Sequence, residues 1–457
     1  MKAIINISNF PGYLIGTLLV LQYFGANSPL LDTGGNHTLI LQCLTCIASL
    51  PFLFTIDKNK SLYIVGIVFL FLLFVLIHYE VISRFNDYNF ALSQIWSYVK
   101  FCLYLFVFLA VYFYFKGSDF IVITKFAKYI VLALFVEALI YLIFKLLGFS
   151  SVVGLFESVE GRFAGIFLHH NAILSFFAFF VISYVIYFGS LAEKIRYLTI
   201  GAILVILSGE RSAFFGLMFL AFSYVFFSYN EDSVIYKYKV KIVLTFSFIL
   251  LCLIVPYTIY FRVGEFTTVG EFFRTILIRI YFSYLTVVHL FESSNPIFGF
   301  GPFVTHLPVN IADMHADYVE KYINFVKYLF GITEETYFRS FHDTANLNAP
   351  TYSINAHNTF IILLYQFGYF FLIIFLYFVY LFFGAVKYIR KNLKEISLIS
   401  KSQDKLNINE NFFQISSLVF IIASLPLLIL LSLDGFLILT AIAFGHIGSI
   451  VRKVADG

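Results

Sequence analysis

The chain has 457 residues, 61% hydrophobic and 12% charged, with a net charge of +4 and a mean hydropathy of +0.90. Soluble domains are about 45–50% apolar and about 25% charged, so a water-facing fold of this length cannot bury the surplus, and soluble, disordered and disulfide-framework classes are excluded. The small net charge gives no reason to expect a nucleic-acid partner.

Lipid is the remaining solvent, and at about 20 residues per span twelve helices use about 240 residues. Twelve apolar segments follow in order: Phe10–Gly25, Thr38–Ile56, Leu62–Tyr79, Tyr98–Phe115, Ala127–Leu147, Phe163–Phe188, Tyr197–Ser208, Ser212–Tyr229, Ile242–Phe261, Thr359–Val386, Phe413–Ser432 and Phe436–Val451. They lack the two-residue alternation of a lipid-facing barrel, so the fold class predicted is an all-α polytopic membrane protein. The first segment follows a single lysine, Lys2, and no small-residue cleavage site succeeds it, so a retained span is expected. Cys43 and Cys46 form a CxxC inside the second segment, an apolar setting unsuited to redox or zinc chemistry.

Lysine and arginine give the orientation. With a cytoplasmic N-terminus, the inside segments carry 19 of them and the short outer segments five: Arg84, Lys100, Lys145, Arg162 and Arg211. Both termini are therefore expected in the cytoplasm. The chain divides into spans one to nine over residues 1–261, a large outer loop over 262–356, and spans ten to twelve over 357–457. A loop of 95 residues is expected to hold helices of its own. Within it Tyr318, Tyr322, Val326 and Phe330 share one helical face, as a surface helix or a lid would. Lys387–Asn411 reads as a solvated cytoplasmic insert.

Ionisable groups at span ends need a reason. Ser208-Gly209-Glu210-Arg211-Ser212 joins two spans with almost no loop. It is either a tight turn with its charges in water or an anion site, for which the planar fork of Arg211 is suited. Arg162 precedes a span and is followed by Gly165, His169, His170 and Asn171. Adjacent histidines diverge by about 100° on a helix, so hydrogen bonding is the better reading than a metal site. The long loop opens with Arg262, Arg274 and Arg279, continues through the turn Asn295–Pro302, and closes with His357-Asn358 before the tenth span. His357 is a candidate base, or a cap or packing residue. Glu137 lies inside the fifth span, to pair with a neighbour or line a cavity. Asp434 sits in a short outer turn. No Walker loop, dinucleotide fingerprint, HExxH or GxSxG is present.

In this order, Arg162, Gly165 and Asn171, then Glu210-Arg211-Ser212, then Arg279 and Asn295–Gly301, then His357-Asn358 and Gly368, the chain resembles the O-antigen polymerase and ligase superfamily of membrane glycosyltransferases, the Wzy and WaaL type. The resemblance covers Arg162 to about Gly368. One departure is Glu210, where the family commonly has serine or a small residue.

The resemblance implies a bacterial inner-membrane enzyme whose donor is an undecaprenyl-diphosphate-linked oligosaccharide, with no cofactor and no metal. It implies His357, Arg211 and Arg279 as catalytic residues, and Arg162, Asn171, Arg274 and Asn358 as residues that bind diphosphate or sugar. Arginines would stabilise charge on the diphosphate as the C1–O bond breaks, and in-line attack would invert the sugar carbon. A chain-length regulator and a flippase of the same pathway are the partners implied, besides membrane lipid. The wealth of Phe (61) and Tyr (32) favours a polymerase over a ligase that transfers glycan to lipid A core. A lipid-linked-sugar transporter is the third reading, one that would place polar sites near the membrane midplane.

Overall fold

The computed structural model describes residues 9–24, 36–85, 95–157, 162–166, 171–227, 238, 241, 245, 283–284, 286–293, 296–301, 307–309, 352–354, 358–401, 410–430 and 437–456. The ninth predicted span, 242–261, and the predicted loop helix, 317–330, lie almost entirely or wholly outside these residues.

Among them the chain is almost entirely helical. The helices are α1 Phe10–Phe24, α2 Asn36–Ile56, α3 Lys58–Phe85, α4 Ile95–Tyr114, α5 Gly117–Leu146, the single turn α6 Ser150–Val153, α7 Asn171–Phe188, α8 Leu191–Ser208, α9 Arg211–Phe227, α10 Thr359–Phe367, α11 Tyr369–Lys401, α12 Glu410–Leu430 and α13 Leu437–Asp456. Two three-residue strands, β1 Leu307–Val309 and β2 Tyr352–Ile354, pair antiparallel.

Four of the described helices are long and apolar enough to cross a membrane: His37–Ile56, Lys58–Val81, Gly117–Leu146 and Tyr369–Lys391. Their outward faces carry exposed apolar side chains, among them Leu70, Leu76 and Ile77 on α3 and Ile373, Leu376 and Phe383 on α11. Such faces suit hydrocarbon and not water. α7 is apolar on every side, with Phe176, Phe177, Phe179 and Phe180 wholly buried, and it lies at the centre against α5, α8 and α12.

Several boundaries differ from the sequence reading. The sixth span was expected from Phe163, but residues 162–166 are non-helical and the described helix begins at Asn171. The Gly165 backbone, at φ +79°, is left-handed and ends any helical path there. The fifth helix starts at Gly117, ten residues before the predicted span, with Asp119 taking the Lys116 N–H. α8 starts at Leu191 because Ser190 and Glu193 form a reciprocal capping box. The tenth span is two helices, broken at Gly368, and the second runs on to Lys401 through most of the insert expected to be a solvated segment.

Polar contacts sort the helix ends into two groups. At one end Tyr23 of α1 meets Glu137 of α5, and His78 of α3 meets Tyr98 of α4. At the opposite end the Gly12 N–H donates to Asp119, Lys128 pairs with Glu193 at 3.0 Å, and Tyr184, Ser417 and His446 form a buried chain. Arg452 also lies at that opposite end, over the Tyr112 ring.

Candidate functional site

Residues 149–157 and 162–166, which follow α5, lie back against it. The Phe156 carbonyl accepts the N–H groups of Ala164 and Gly165 at 2.8 and 3.2 Å, and Glu157 bridges to Phe163. On α5, Tyr141 donates to Glu157 at 2.9 Å, and Lys145 lies 3.6 Å from the same carboxylate. One turn deeper, Glu137 accepts the Tyr23 hydroxyl on one oxygen and the Ile166 N–H, at 2.7 Å, on the other.

This hairpin delivers Arg162 to the α8–α9 turn. Its Nη1 donates to Glu210 Oε1 at 3.1 Å, and both side chains are partly buried. Gly209 caps α8 at φ +63°, and a Cβ there would sit 3.0 Å from the Arg162 stem. A left-handed turn without a side chain is what lets arginine lie across it. The sequence marked Glu210 only as a departure from the family pattern; the fold gives it a partner 48 residues away.

Arg211 is the first residue of α9, and the Ala213 N–H of its first turn donates to the Glu210 carbonyl at 3.1 Å. Ser208 donates to Val205 and accepts from Glu210 N. The Ser212 hydroxyl is buried and has no hydrogen-bond partner, which leaves a donor unspent at this turn. Ser175 and Ser208 approach at 3.5 Å, which sets the start of α7 beside the end of α8. Asn171, first residue of α7, is one turn nearer this end than Ser175. Arg162, Asn171 and Arg211 thus begin from backbone positions at one end of the bundle.

Asn358 is the N-cap of α10, its side-chain oxygen accepting from Phe360 and Ile361 N–H at 3.1 and 3.2 Å. That use leaves its amide N–H groups for other contacts. His357, Arg274 and Arg279 lie outside the described residues, as do His169, His170 and Arg262.

The Asn295–Pro302 motif has a role the sequence did not reveal. At the Gly368 break the carbonyls of Tyr365 and Gln366 lose their helical partners. They accept instead from Phe300 and Gly301 N–H, at 3.0 and 2.9 Å, while Tyr369 N–H donates to the Pro296 carbonyl at 3.2 Å. Side chains are excluded from this join. A Cβ at Gly299 would fall 2.5 Å from the Tyr365 oxygen, and one at Gly368 would fall 2.3 Å from the Pro296 oxygen. In a low-dielectric setting each unpaired backbone group would cost several kcal/mol, so loop and helix break satisfy each other.

His78 completes the dock. Its Nε2–H donates to the Phe298 carbonyl at 2.5 Å, which leaves Nδ1 to accept the Tyr98 hydroxyl at 2.6 Å. His289 stacks on Phe300 and lies 3.2 Å from the Tyr365 hydroxyl, with burial lowering its pKa. Neither histidine stood out in the sequence, because each is a single polar residue in an apolar run. Among the described residues no group of three or more His, Cys, Asp or Glu side chains could hold a metal ion.

No curated protein matches the chain in a sequence search. A family model does match, over residues 196–376, from the second turn of α8 through the loop and α10 into α11. That model is the one for O-antigen ligases, so the matched region is similar to that family, in line with the superfamily of O-antigen polymerases and ligases that the sequence motifs resemble.

Proposed function

We propose that the protein is a polymerase of O-antigen or a similar surface polysaccharide. It joins undecaprenyl-diphosphate-linked oligosaccharide repeats on the periplasmic side of the bacterial inner membrane. Twelve spans with both termini cytoplasmic put residues 262–356 and the Arg162–Arg211 end of the bundle on that side. The observation that carries the reading is the Arg162–Glu210 pair, which unites two separate sequence motifs at one anion-suited turn.

In this reading Arg162 and Arg211 hold the donor diphosphate, with the Ser212 hydroxyl as a further donor and Asn171 nearby. Arg279 and Arg274 reach the same group from the loop. Charge developing on the diphosphate as the C1–O bond breaks is met by fixed cations, and preorganised charge of this kind is usually what lowers a barrier most. His357 takes the proton from the acceptor hydroxyl, and Asn358 orders the start of α10 beside it. Attack opposite the leaving diphosphate inverts the sugar carbon. No metal is required, because the donor is already activated.

Glu137 bears on the transporter alternative. A transport site in mid-membrane keeps its polar groups for cargo. Both Glu137 oxygens are taken up by Tyr23 and Ile166. The description of the matched family favours a second reading, a ligase that moves lipid-linked glycan to lipid A core. Lipopolysaccharide from a deletion strain separates the two on a gel. A single repeat on core is expected for a polymerase. Loss of all repeats with lipid-linked polymer accumulating indicates the ligase, and an unchanged ladder removes both.

A further inference from the structure

A carboxylate inside an apolar helix needs partners, and those of Glu137 come from two other parts of the chain. Tyr23 ends α1, and Ile166 closes the hairpin that carries Arg162. The geometry around Ile166 is tight. Gly165 holds φ +79°, and a Cβ on it would sit 2.8 Å from Glu137 Oε2 and 3.1 Å from Leu134. The carboxylate therefore lies under a bare stretch of backbone and fixes its height above α5. Arg162 is four residues from that anchor. It has Gly209 against its stem and Glu210 at its tip.

We propose that Glu137 is a positioning residue for Arg162. It ties the Arg162–Ile166 turn to α1 and α5, so that the guanidinium stays at the α8–α9 turn. The proposal rests on the reading that Arg162 holds the donor diphosphate. It assigns Glu137 no proton transfer, and this distinguishes it from a general base or a proton-coupled carrier. Both of those need a carboxylate, whereas an anchor needs an acceptor for Ile166 and a polar partner for Tyr23. Glutamine supplies both, since its oxygen accepts and its amide can donate to the tyrosine oxygen.

The test uses the full chain in lipid nanodiscs for hydrogen exchange, and complemented deletion cells for glycan chain length, with protein level checked by blot. Glu137→Gln should keep the exchange protection of the 162–166 peptide and a near-normal ladder. Glu137→Ala should raise exchange there by about tenfold or more and shorten the chains as Arg162→Ala does. Adding Glu137→Ala to Arg162→Ala should shorten them no further. Gly165→Ala, which drives a methyl against the carboxylate while leaving residue 137 a glutamate, should reproduce the Glu137→Ala pattern even if that variant is poorly expressed. A Gln variant as defective as the Ala variant would overturn the proposal in favour of proton chemistry. Unchanged exchange in both Glu137→Ala and Gly165→Ala would overturn the anchor itself. If exchange follows expectation but Arg162→Ala gives a normal ladder, the donor-site reading of Arg162 falls while the anchor stands.

Discussion

At the Arg162–Glu210 contact a cation and an anion lie 3.1 Å apart in a partly buried turn. Arg211 follows Glu210 as the first residue of α9. A diphosphate rewards the planar fork of arginine over the point charge of lysine. Arg211→Lys and Arg279→Lys are therefore expected to fold, insert and fail to make long chains, with rates down by about 10²–10³. His357→Ala should fail in the same way, whereas Arg339→Lys, outside every motif, should behave as wild type. Chain-length distribution at equal protein level measures this. Normal ladders from both arginine variants would remove the anion site.

Most of these side chains could be picked out by their motif spacing, but their partners could not. Glu210 looked like a departure from the family pattern that would weaken Arg211. Its tie to Arg162 depends on a hairpin whose path is set by Phe156, Gly165 and Glu137, and nothing local announces that path. His78 and Tyr98 lie inside apolar runs that read as plain spans. Their importance comes only from Phe298, 220 residues away from His78.

At the level of elements, helices were legible wherever a long apolar run met a polar stop, as for α1, α2 and α12. They were misjudged where backbone chemistry overrode hydropathy. The Ser190–Glu193 capping box was readable in the sequence and would have moved the start of α8 to its observed place. The break at Gly368 was not readable, because Phe367 and Tyr369 continue the apolar run without interruption. It exists because the Asn295–Pro302 turn supplies the missing partners.

Two expectations follow for that join. Gly368→Ala places a Cβ against the Pro296 carbonyl at φ +58° and should destabilise the protein by about 1–3 kcal/mol. Gly66→Ala, with open space around it in α3, should be neutral or mildly stabilising. Thermal unfolding in detergent compares the two, and an equal Tm for Gly368→Ala and wild type would contradict the dock. The second concerns acid. The His289 pKa is lowered by burial, so the folded state binds fewer protons than the unfolded one. Its contribution is present above the unfolded histidine pKa of about 6.5 and is lost as pH falls through the lower folded value. Exchange protection of residues 296–301 should therefore weaken as pH falls below about 6.5. His289→Phe should flatten that dependence, and a dependence of the same size in the variant would exclude His289 as its source.

For the molecule as a whole, the cationic side chains Lys60, Lys116, Lys128 and Arg452 gather at the end opposite Arg162. The 19-to-five division of lysine and arginine makes the cytoplasmic side an expectation to be measured. Reporter fusions at Asp343 and Gln403 should give opposite signals, and equal signals would refute the orientation. The purified protein should also extend synthetic lipid-linked repeats in excess EDTA. Complete loss that magnesium restores would overturn metal-independent transfer.

The join at Gly368 and the β1–β2 pair together fasten both ends of the outer loop. Strand β1 follows the docked turn by a few residues, and β2 precedes α10 by a few. Val309 and Tyr352, with 42 residues between them in the sequence, are brought together as a neck by the β1–β2 pair. Closing such a neck costs an entropy that grows only logarithmically with the length beyond it, about 0.6 kcal/mol for each doubling. The bundle is thus largely indifferent to what hangs from the neck. Segments of different length could therefore follow the same β1–β2 closure at nearly the same cost to the join at Gly368.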